Sequence, residues 1–442
     1  MNAQHVRIPA LCLCLGVALL WPRSSSADAV IDWNANAGQA ALAACIAPGD
    51  DPLHESRMYA MTHVAIHDAL NAIDRRFRPY AYDAQVAPGT STAAAVAAAA
   101  RGVLVATISQ LPFPPACLQA GTASVEADYA AALALIPNGV PKTDGIQVGR
   151  DAAAAILSLR ASDGSDTPLQ DFAYPQGTRP GEYRFTPGIN FAFAPGWGNV
   201  TPFVLNRASQ FRANKPYRID SKKYTADFNE VKAIGGDDIT TQSTRTADQT
   251  QIGLFWLESS PLAWNRLARP IAESRGLDLW ENARLFGLLN LSMADGYIAS
   301  WESKYLYNFW RPVTAIQTAD TDGNPDTLAD PMWTPLQLTY PIPDHDSGHS
   351  VQGGAAAESL KQFFGTDDIA FSACSLTLPV GQRCTDASPV FRAYTSFSQA
   401  ADENGLSRIL VGIHFRNAVE EGIQHGRKIA KRAANLLLKP VD

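Results

Sequence analysis

The stretch KYLYNFWRP at residues 304–312 separates a lysine from an arginine-proline pair by six residues. Two shorter stretches follow: SGH at residues 347–349, and SR at residues 407–408 with His414 six positions after the arginine. The lysine and the two arginines would neutralise a small, highly charged anion, and guanidinium groups match the oxygens of a tetrahedral oxyanion in paired hydrogen bonds. The three stretches therefore predict one oxyanion-binding site.

The other members of these stretches supply complementary groups. Ser347 offers a hydroxyl donor, and Gly348, which has no Cβ, lets its backbone N–H approach an anion closely. Two imidazoles remain, His349 and His414, one to attack or coordinate the central atom and one to move protons.

The pattern Lys-x6-Arg-Pro, Ser-Gly-His and Ser-Arg with a histidine six after the arginine resembles the superfamily that unites vanadium-dependent haloperoxidases with type 2 phosphatidic-acid phosphatases. Trp301, the run at 308–312, HVAIHDA at 63–69 and YTADFNEVK at 224–232 look like the soluble, bacterial-type haloperoxidase branch. The resemblance covers nearly the whole chain after its first residues. It implies an all-α, haloperoxidase-like fold of packed helical bundles.

The resemblance also implies roles and ligands. His414 would bind vanadate, or attack phosphorus in a phosphatase, and His349 would be the acid/base. The equatorial oxygens of vanadate, or of phosphate in the same site, would be held by Lys304, Arg311, Ser347, Gly348 and Arg408. The substrates would be hydrogen peroxide and a halide, or a phosphomonoester.

The chain departs from the family pattern beside the second stretch. Residues 344–346 read Asp-His-Asp, which places an extra imidazole and two carboxylates near His349 and predicts a raised pKa for that histidine. The candidate second layer around the site is therefore Trp301, Ile342, His345 and Asp346.

Two further departures concern tuning of the site. Ile342 stands where many haloperoxidases carry an aromatic residue or histidine, which puts the halide preference in doubt. Ala418 stands where many members carry an aspartate that steadies the last-motif histidine, and Asn417 or Glu420 are the candidate substitutes.

Composition narrows the function classes. A net charge of −7 and a pI near 5.6 argue against a nucleic-acid binder, so an oxyanion must find a local basic pocket. Residues 1–29 combine a basic start, a short apolar stretch and a small-x-small signal, which predicts a signal peptide cleaved after Ala29. The expected protein is secreted or periplasmic, without a later stretch of membrane-spanning length. The oligomeric state stays open.

Four cysteines follow the predicted signal peptide, and an exported chain can oxidise them. Cys374 and Cys384 bracket a short turn-bearing segment, which leaves Cys45 to pair with Cys117. Four cysteines allow three connectivities, and proximity in sequence favours this one.

Helical periodicity dominates the chain and breaks only in a region rich in proline, glycine and aromatic residues at about 163–222. We expect an N-terminal helical lobe at 30–220 and a C-terminal lobe with the oxyanion site at 221–442. One long helix is expected to carry Lys304 and Arg311 and to stop at Pro312. The predicted helices are 54–74, 91–110, 120–136, 146–161, 244–259, 261–274, 279–306, 350–364, 390–404 and 416–437.

Three functions are compatible with these residues. The first is a secreted vanadate-dependent haloperoxidase. The second is a soluble acid phosphatase that uses His414 as nucleophile, and vanadate and phosphate are too alike in shape and charge for the sequence to separate the two. The third is an exported oxyanion-binding protein without catalysis, which the loss of an aspartate at Ala418 permits.

Overall fold

The computed structural model describes residues 28–441, which form thirteen α-helices and two small antiparallel sheets. The predicted all-α fold is confirmed. The helices are α1 Ala29–Ala43, α2 Pro52–Ile73, α3 Thr92–Ile108, α4 Pro115–Ala134, α5 Val140–Leu159, α6 Lys222–Ile234, α7 Ala247–Phe255, α8 Ser260–Ser274, α9 Leu279–Tyr307, α10 Pro312–Gln317, α11 Gly348–Phe364, α12 Phe397–Leu410 and α13 Arg416–Leu436. The sheets pair β1 Gln170–Asp171 with β2 Ala192–Phe193, and β3 Phe371–Ala373 with β4 Arg392–Tyr394.

Helix α9 lies at the centre, where it packs against α2 and α11. It begins with a capping box in which Asp278 and Glu281 satisfy each other's backbone N–H groups. It ends after Tyr307 because Asn308 adopts a left-handed conformation with φ of 46°, which asparagine tolerates better than most residues. Lys304 therefore lies in the last turn of the central helix.

Helices α11 and α13 approach each other closely because glycines line their contact. A Cβ at Gly426 would stand 2.0 Å from the carbonyl oxygen of Val351, and one at Gly354 would stand 2.2 Å from that of Ile423. Any larger side chain would push the two helices apart. The close contact fixes α11, whose first turn carries Gly348 and His349.

This packing gives a stability prediction. We expect Gly426→Ala to destabilise the fold by about 1–3 kcal/mol or more, as overpacking does in dense cores. Gly287→Ala in α9 is the matched control, because its Cβ would meet the terminal methyl of Leu438 at 2.7 Å, which can move aside. Thermal unfolding of both variants checks this, and equal melting temperatures would contradict it.

The helix predictions were wrong in several places. The segment 390–404 begins with β4, and its helix runs over Phe397–Leu410 instead. The helix predicted at 244–259 spans only Ala247–Phe255, since Trp256–Ser259 form the connection to α8. Three helices, α1, α6 and α10, were absent from the prediction. The lobe boundary near residue 220 stays a prediction, and nearly all of the proposed signal peptide lies outside the described residues.

Both predicted disulfides are present. Cys374 bonds to Cys384 across the segment between β3 and β4, and Cys45 bonds to Cys117 between the end of α1 and the start of α4. Within residues 28–441, no helix combines the length and the apolar character that crossing a membrane requires.

Candidate active site

A cavity of about 320 Å³ opens at the first turn of α11. One side is aromatic and aliphatic, with Phe191, Phe193, Leu257, Trp301, Tyr340 and Ile342. The other side carries the groups that the sequence singled out, Arg311, Gly348, His349, Arg408 and His414. Five side chains or backbone groups from distant segments thus meet at one space.

Arg311 reaches the cavity from a position that the sequence did not predict. Helix α9 ends before it, and Pro312 begins α10 rather than stopping α9, because proline at the first helical position loses no hydrogen bond. The guanidinium is fully buried, and it donates from Nε to the Ile342 carbonyl at 2.7 Å and from Nη1 to the Ile413 carbonyl at 2.6 Å. These bonds fix the guanidinium plane.

Lys304 and Ser347 are fully buried and lie outside the cavity lining that residues 28–441 provide. Lys304 Nζ donates to the carbonyls of Pro343 at 2.9 Å and Asp344 at 3.0 Å. Burial, with the nearby charge of Arg311, lowers the pKa of Lys304 to about 7. Ser347 Oγ accepts a hydrogen bond from Ser350 at 2.9 Å. The two hydrogen bonds of Lys304 link residues 343–344 to α9, and the third N–H of its ammonium group remains to bind an anion.

His414 is held by a partner that sequence reasoning missed. Its Nδ1 lies 2.8 Å from Asp344 Oδ1, and its Nε2 lies 3.0 Å from Arg311 Nη1. Because arginine can only donate, Nε2 accepts, and Nδ1 carries the proton that it donates to Asp344. His414 therefore offers a basic ring nitrogen beside the guanidinium.

Asp344 takes the place of the aspartate that the family pattern puts at Ala418. Asn417, by contrast, donates a hydrogen bond from its backbone N–H to Asp227, and Glu420 lies near Arg416 at the surface, so neither of the expected substitutes contacts His414. Asp344 was visible in the Asp-His-Asp run, but no pattern in the sequence indicates that it faces His414 rather than His349.

Replacing Asp344 tests this contact. We expect Asp344→Asn to reduce oxyanion affinity or turnover by about 10–100-fold, as the loss of groups that orient metal-ligating histidines does. The physical reason is that an amide can donate to Nδ1 and so favour the wrong tautomer. Binding of vanadate or phosphate by titration calorimetry checks this, with Asn417→Ala as the control at the rejected position.

His349 lies in the first turn of α11 and is partly exposed to the cavity. Its Nε2 donates to the Glu258 carbonyl at 3.3 Å. The predicted upward pKa shift was wrong: burial and then the charge of Arg408 lower the pKa of His349 well below its usual range. The carboxylates that were expected to raise the pKa point elsewhere. Asp344 contacts His414, and Asp346 contacts His425 at 2.8 Å.

The candidate second layer divides into two pairs. Trp301 and Ile342 line the cavity, and a Cβ at Gly348 would stand only 3.3 Å from the Trp301 ring. His345 Nε2 bonds the Asn214 carbonyl at 2.7 Å, and Asp346 bonds Ser300 and His425, so both act behind the cavity. A side chain at Gly348 would therefore crowd the Trp301 indole.

The donor set fits a tetrahedral oxyanion. Among the described residues, Arg311 Nη2 and Arg408 Nε are buried N–H donors that lack a hydrogen-bond partner. Buried polar groups of this kind are almost always satisfied in native proteins. Burial lowers the pKa of both guanidinium groups, and a bound anion would reverse this by compensating their charge. His414 Nε2 and the Gly348 cradle complete a pocket for a vanadate- or phosphate-like group.

Other metal arrangements have less support. Within residues 28–441 there is no cluster of three or more histidine, cysteine, aspartate or glutamate side chains that could hold a metal ion. The fold is all-α, and its cavity brings together two arginines and two histidines, a set of groups that fits an oxyanion.

Comparison with known proteins agrees with this class. Residues 284–442 match the family model described as VCPO second helical-bundle domain. Vanadium chloroperoxidase of Curvularia inaequalis is 26% identical, over 50% of this chain and 45% of that protein, so the chain spans less than half the length of this curated relative.

Two solved structures share the fold. The crystal structure of the first bacterial vanadium-dependent iodoperoxidase superposes with a TM-score of 0.72 at 24% identity, over 93% of this chain and 96% of that chain. A holo-type bacterial vanadium-dependent chloroperoxidase superposes with a TM-score of 0.70 at 15% identity, over 91% and 95%. These matches support the resemblance to vanadium haloperoxidases: residues 284–442 match the model of one helical-bundle domain, and the two solved structures share the fold.

Proposed function

We propose that the protein is a vanadate-dependent haloperoxidase that oxidises a halide with hydrogen peroxide. The observation that carries this proposal is the pairing at His414, whose Nδ1 is committed to Asp344 while Nε2 faces the Arg311 guanidinium at the cavity. A neutral imidazole with an available Nε2 is the ligand form that a vanadate centre needs. The vanadium enzymes among its structural relatives support the same assignment.

The chain's own residues would divide the work. Arg311 and Arg408 would hold vanadate by charge-assisted hydrogen bonds, with Lys304 adding positive charge from behind. Bound vanadate would supply a Lewis acid that activates hydrogen peroxide. His349, at the cavity wall, would exchange protons with the reacting oxygen.

The cavity wall also bears on which halide reacts. Ile342 and the aromatic rings of Phe193 and Trp301 give it an apolar, polarisable side. We therefore expect iodide and bromide to be oxidised faster than chloride.

The test is halide oxidation by protein freed of vanadate and then given vanadate and hydrogen peroxide. We expect iodide or bromide oxidation that depends on added vanadate, and phosphate should compete because it needs the same cations. Hydrolysis of a phosphomonoester that depends on His414, without halide oxidation, would establish the phosphatase instead. Phosphate binding without either reaction would leave a binding protein.

We also propose that the protein is exported, secreted or periplasmic, which the two disulfides support. Asp28 caps α1 by accepting hydrogen bonds from Val30 and Ile31, and it accepts another from Asn282 of α9. This cap, worth about 0.5–2 kcal/mol, favours cleavage before Asp28 over the site expected after Ala29. N-terminal sequencing of exported protein decides between the two.

A further inference from the structure

A buried carboxyl group lies beside the cavity but outside the predicted motifs. Glu55, in the first turn of α2, is fully buried, and neither of its carboxyl oxygens has a hydrogen-bond partner within residues 28–441. Four nearby hydroxyl groups are also buried without a hydrogen-bond partner in this part of the chain. They belong to Tyr59 on α2, Ser259 and Ser260 at the start of α8, and Tyr297 on α9. Such a cluster of unsatisfied polar groups is unusual and points to a function.

Two of these hydroxyl-bearing residues connect the cluster to the site. Ser259 and Tyr297 both line the cavity, together with His349. Ser259 follows Glu258 directly, and the Glu258 carbonyl accepts the hydrogen bond from His349. The Tyr297 ring lies beside Gly348, where a Cβ would stand 3.7 Å from it. Ser259 and Tyr297 thus form a single layer of residues between Glu55 and the cavity.

The surroundings of Glu55 keep its proton on. Burial raises the pKa of Glu55 to about 8, with a contribution from the charges of Glu258 and Asp51 and against the lowering by the Ser259 hydroxyl and the Leu262 amide. The cations on α8 do not reverse this, because Arg266 is paired with Glu258 and Arg269 donates to Asn34. The phenols of Tyr59 and Tyr297 stay protonated, since burial raises both of their pKa values.

We infer that Glu55 is the proton reservoir of the site and acts through the Ser259 hydroxyl. This inference rests on the proposed function. Hydrogen peroxide, a halide ion and one proton give hypohalous acid and water, so the halide loses two electrons, the peroxide O–O bond breaks, and each turnover consumes a proton. Glu55 donates its proton to Ser259 Oγ, Ser259 passes its own hydroxyl proton into the cavity, and solvent reprotonates the carboxylate.

The geometry explains why such a reservoir is needed. His414 donates from Nδ1 to Asp344, and the proposed function commits its Nε2 to vanadate, so this residue has no proton to give. His349 holds its Nε2 proton against the Glu258 carbonyl. A buried acid beside the cavity is the group left to supply the proton that each turnover consumes. A structural alternative exists, since Glu55 also lies at the N-terminus of α8, where a side chain could cap the helix. The two roles differ in their dependence on pH.

The test compares Glu55→Gln, Glu55→Asp and Ser259→Ala with the wild type in vanadate-loaded protein, over about pH 6–9. The wild-type kcat should fall as pH rises through about 8, because Glu55 loses its proton there. Glu55→Gln and Ser259→Ala should lower kcat by roughly 100-fold or more, the scale on which general acid catalysis contributes, and should abolish this fall. The vanadate dissociation constant and the KM for peroxide should change less than threefold, and Glu55→Asp should recover part of the rate.

Asp295→Asn is the matched control. Asp295 is also a fully buried carboxyl with a raised pKa, but it accepts from the backbone N–H groups of Phe203, Val204 and Leu205 and lies apart from the cavity lining. The Asp295→Asn variant should be less stable than the wild type and should keep the wild-type dependence of kcat on pH. An unchanged profile in Glu55→Gln, with full activity, would overturn the inference and leave Glu55 as a cap.

A second readout does not depend on halide oxidation. The difference between the infrared spectra of the wild type and Glu55→Gln near pH 7 should contain the carbonyl band of a protonated carboxyl, and that band should titrate away near pH 8. The difference removes the contribution of Asp344, whose pKa burial raises to about 7. Absence of that band in the wild type would overturn the inference even in an active enzyme. A wild type that shows the band but oxidises no halide would instead overturn the proposed function, and with it the catalytic use of this proton.

Discussion

Replacing His414 by alanine should abolish vanadate-dependent halide oxidation, lowering the rate by about 10³-fold or more, the scale on which essential catalytic groups act. The physical reason is that His414 holds an unprotonated Nε2 at the cavity beside Arg311, while its Nδ1 donates to Asp344. Vanadium NMR should show free vanadate with the variant at concentrations that saturate the wild type.

The matched control is His67→Ala. His67 is also buried and also pairs with an aspartate, Asp68, at 2.9 Å, but it lies on α2 away from the cavity lining. The His67→Ala variant should be less stable than the wild type, and each folded molecule should bind vanadate with the wild-type affinity. Halide oxidation that survives in His414→Ala at more than a few per cent of the wild-type rate would mean that vanadate is held elsewhere.

Replacing Arg408 by alanine should weaken vanadate binding strongly. Loss of a charge-assisted hydrogen bond costs about 1.5–3 kcal/mol, which corresponds to roughly 10–150-fold in the dissociation constant. Arg408 Nη1 is engaged by the Trp256 carbonyl at 3.1 Å, whereas Nε has no partner within the described structure and is a donor available to the anion. Arg408→Lys keeps the charge but not that donor geometry, and it should recover only part of the affinity.

Arg245→Ala controls for the loss of a buried guanidinium. Arg245 donates to the carbonyls of Ile234, Gly236 and Leu410 and does not belong to the residues that line the cavity in the described chain. Its replacement should lower the melting temperature and leave the dissociation constant of vanadate unchanged. Equal affinity of Arg408→Ala and the wild type would contradict the assignment of Arg408 to the anion.

The sequence predicted the fold class and the cavity residues because those features depend on spacing. Helical periodicity located α2, α3, α9 and α13 to within a few residues. The motif spacing predicted a shared site for five residues that do line one cavity: Arg311, Gly348, His349, Arg408 and His414. The proximity of the cysteines in sequence predicted both disulfides. The roles of these residues stay predictions, since the experiments above test them.

What the sequence could not predict depends on the direction of side chains within loops. Asp344 and Asp346 are two residues apart, yet one faces His414 and the other faces His425 on α13, so their charges do not reach His349 as expected. Pro312 can stop one helix or start another, and only Asn308 in its left-handed conformation shows that α9 has already ended. Glu55 carried no motif, and its role depends on burial that arises only when α2, α8 and α9 pack together.

The central claim is that vanadate binds in this cavity through His414. An anomalous difference map at the vanadium absorption edge, from crystals soaked in orthovanadate, tests it most directly. We predict a single peak within coordination distance of His414 Nε2. The oxygens bound to this vanadium should lie at about 3 Å from the nitrogen donors of Arg311 and Arg408. A peak at another place, or a map without a peak in the cavity at saturating vanadate, would contradict the claim.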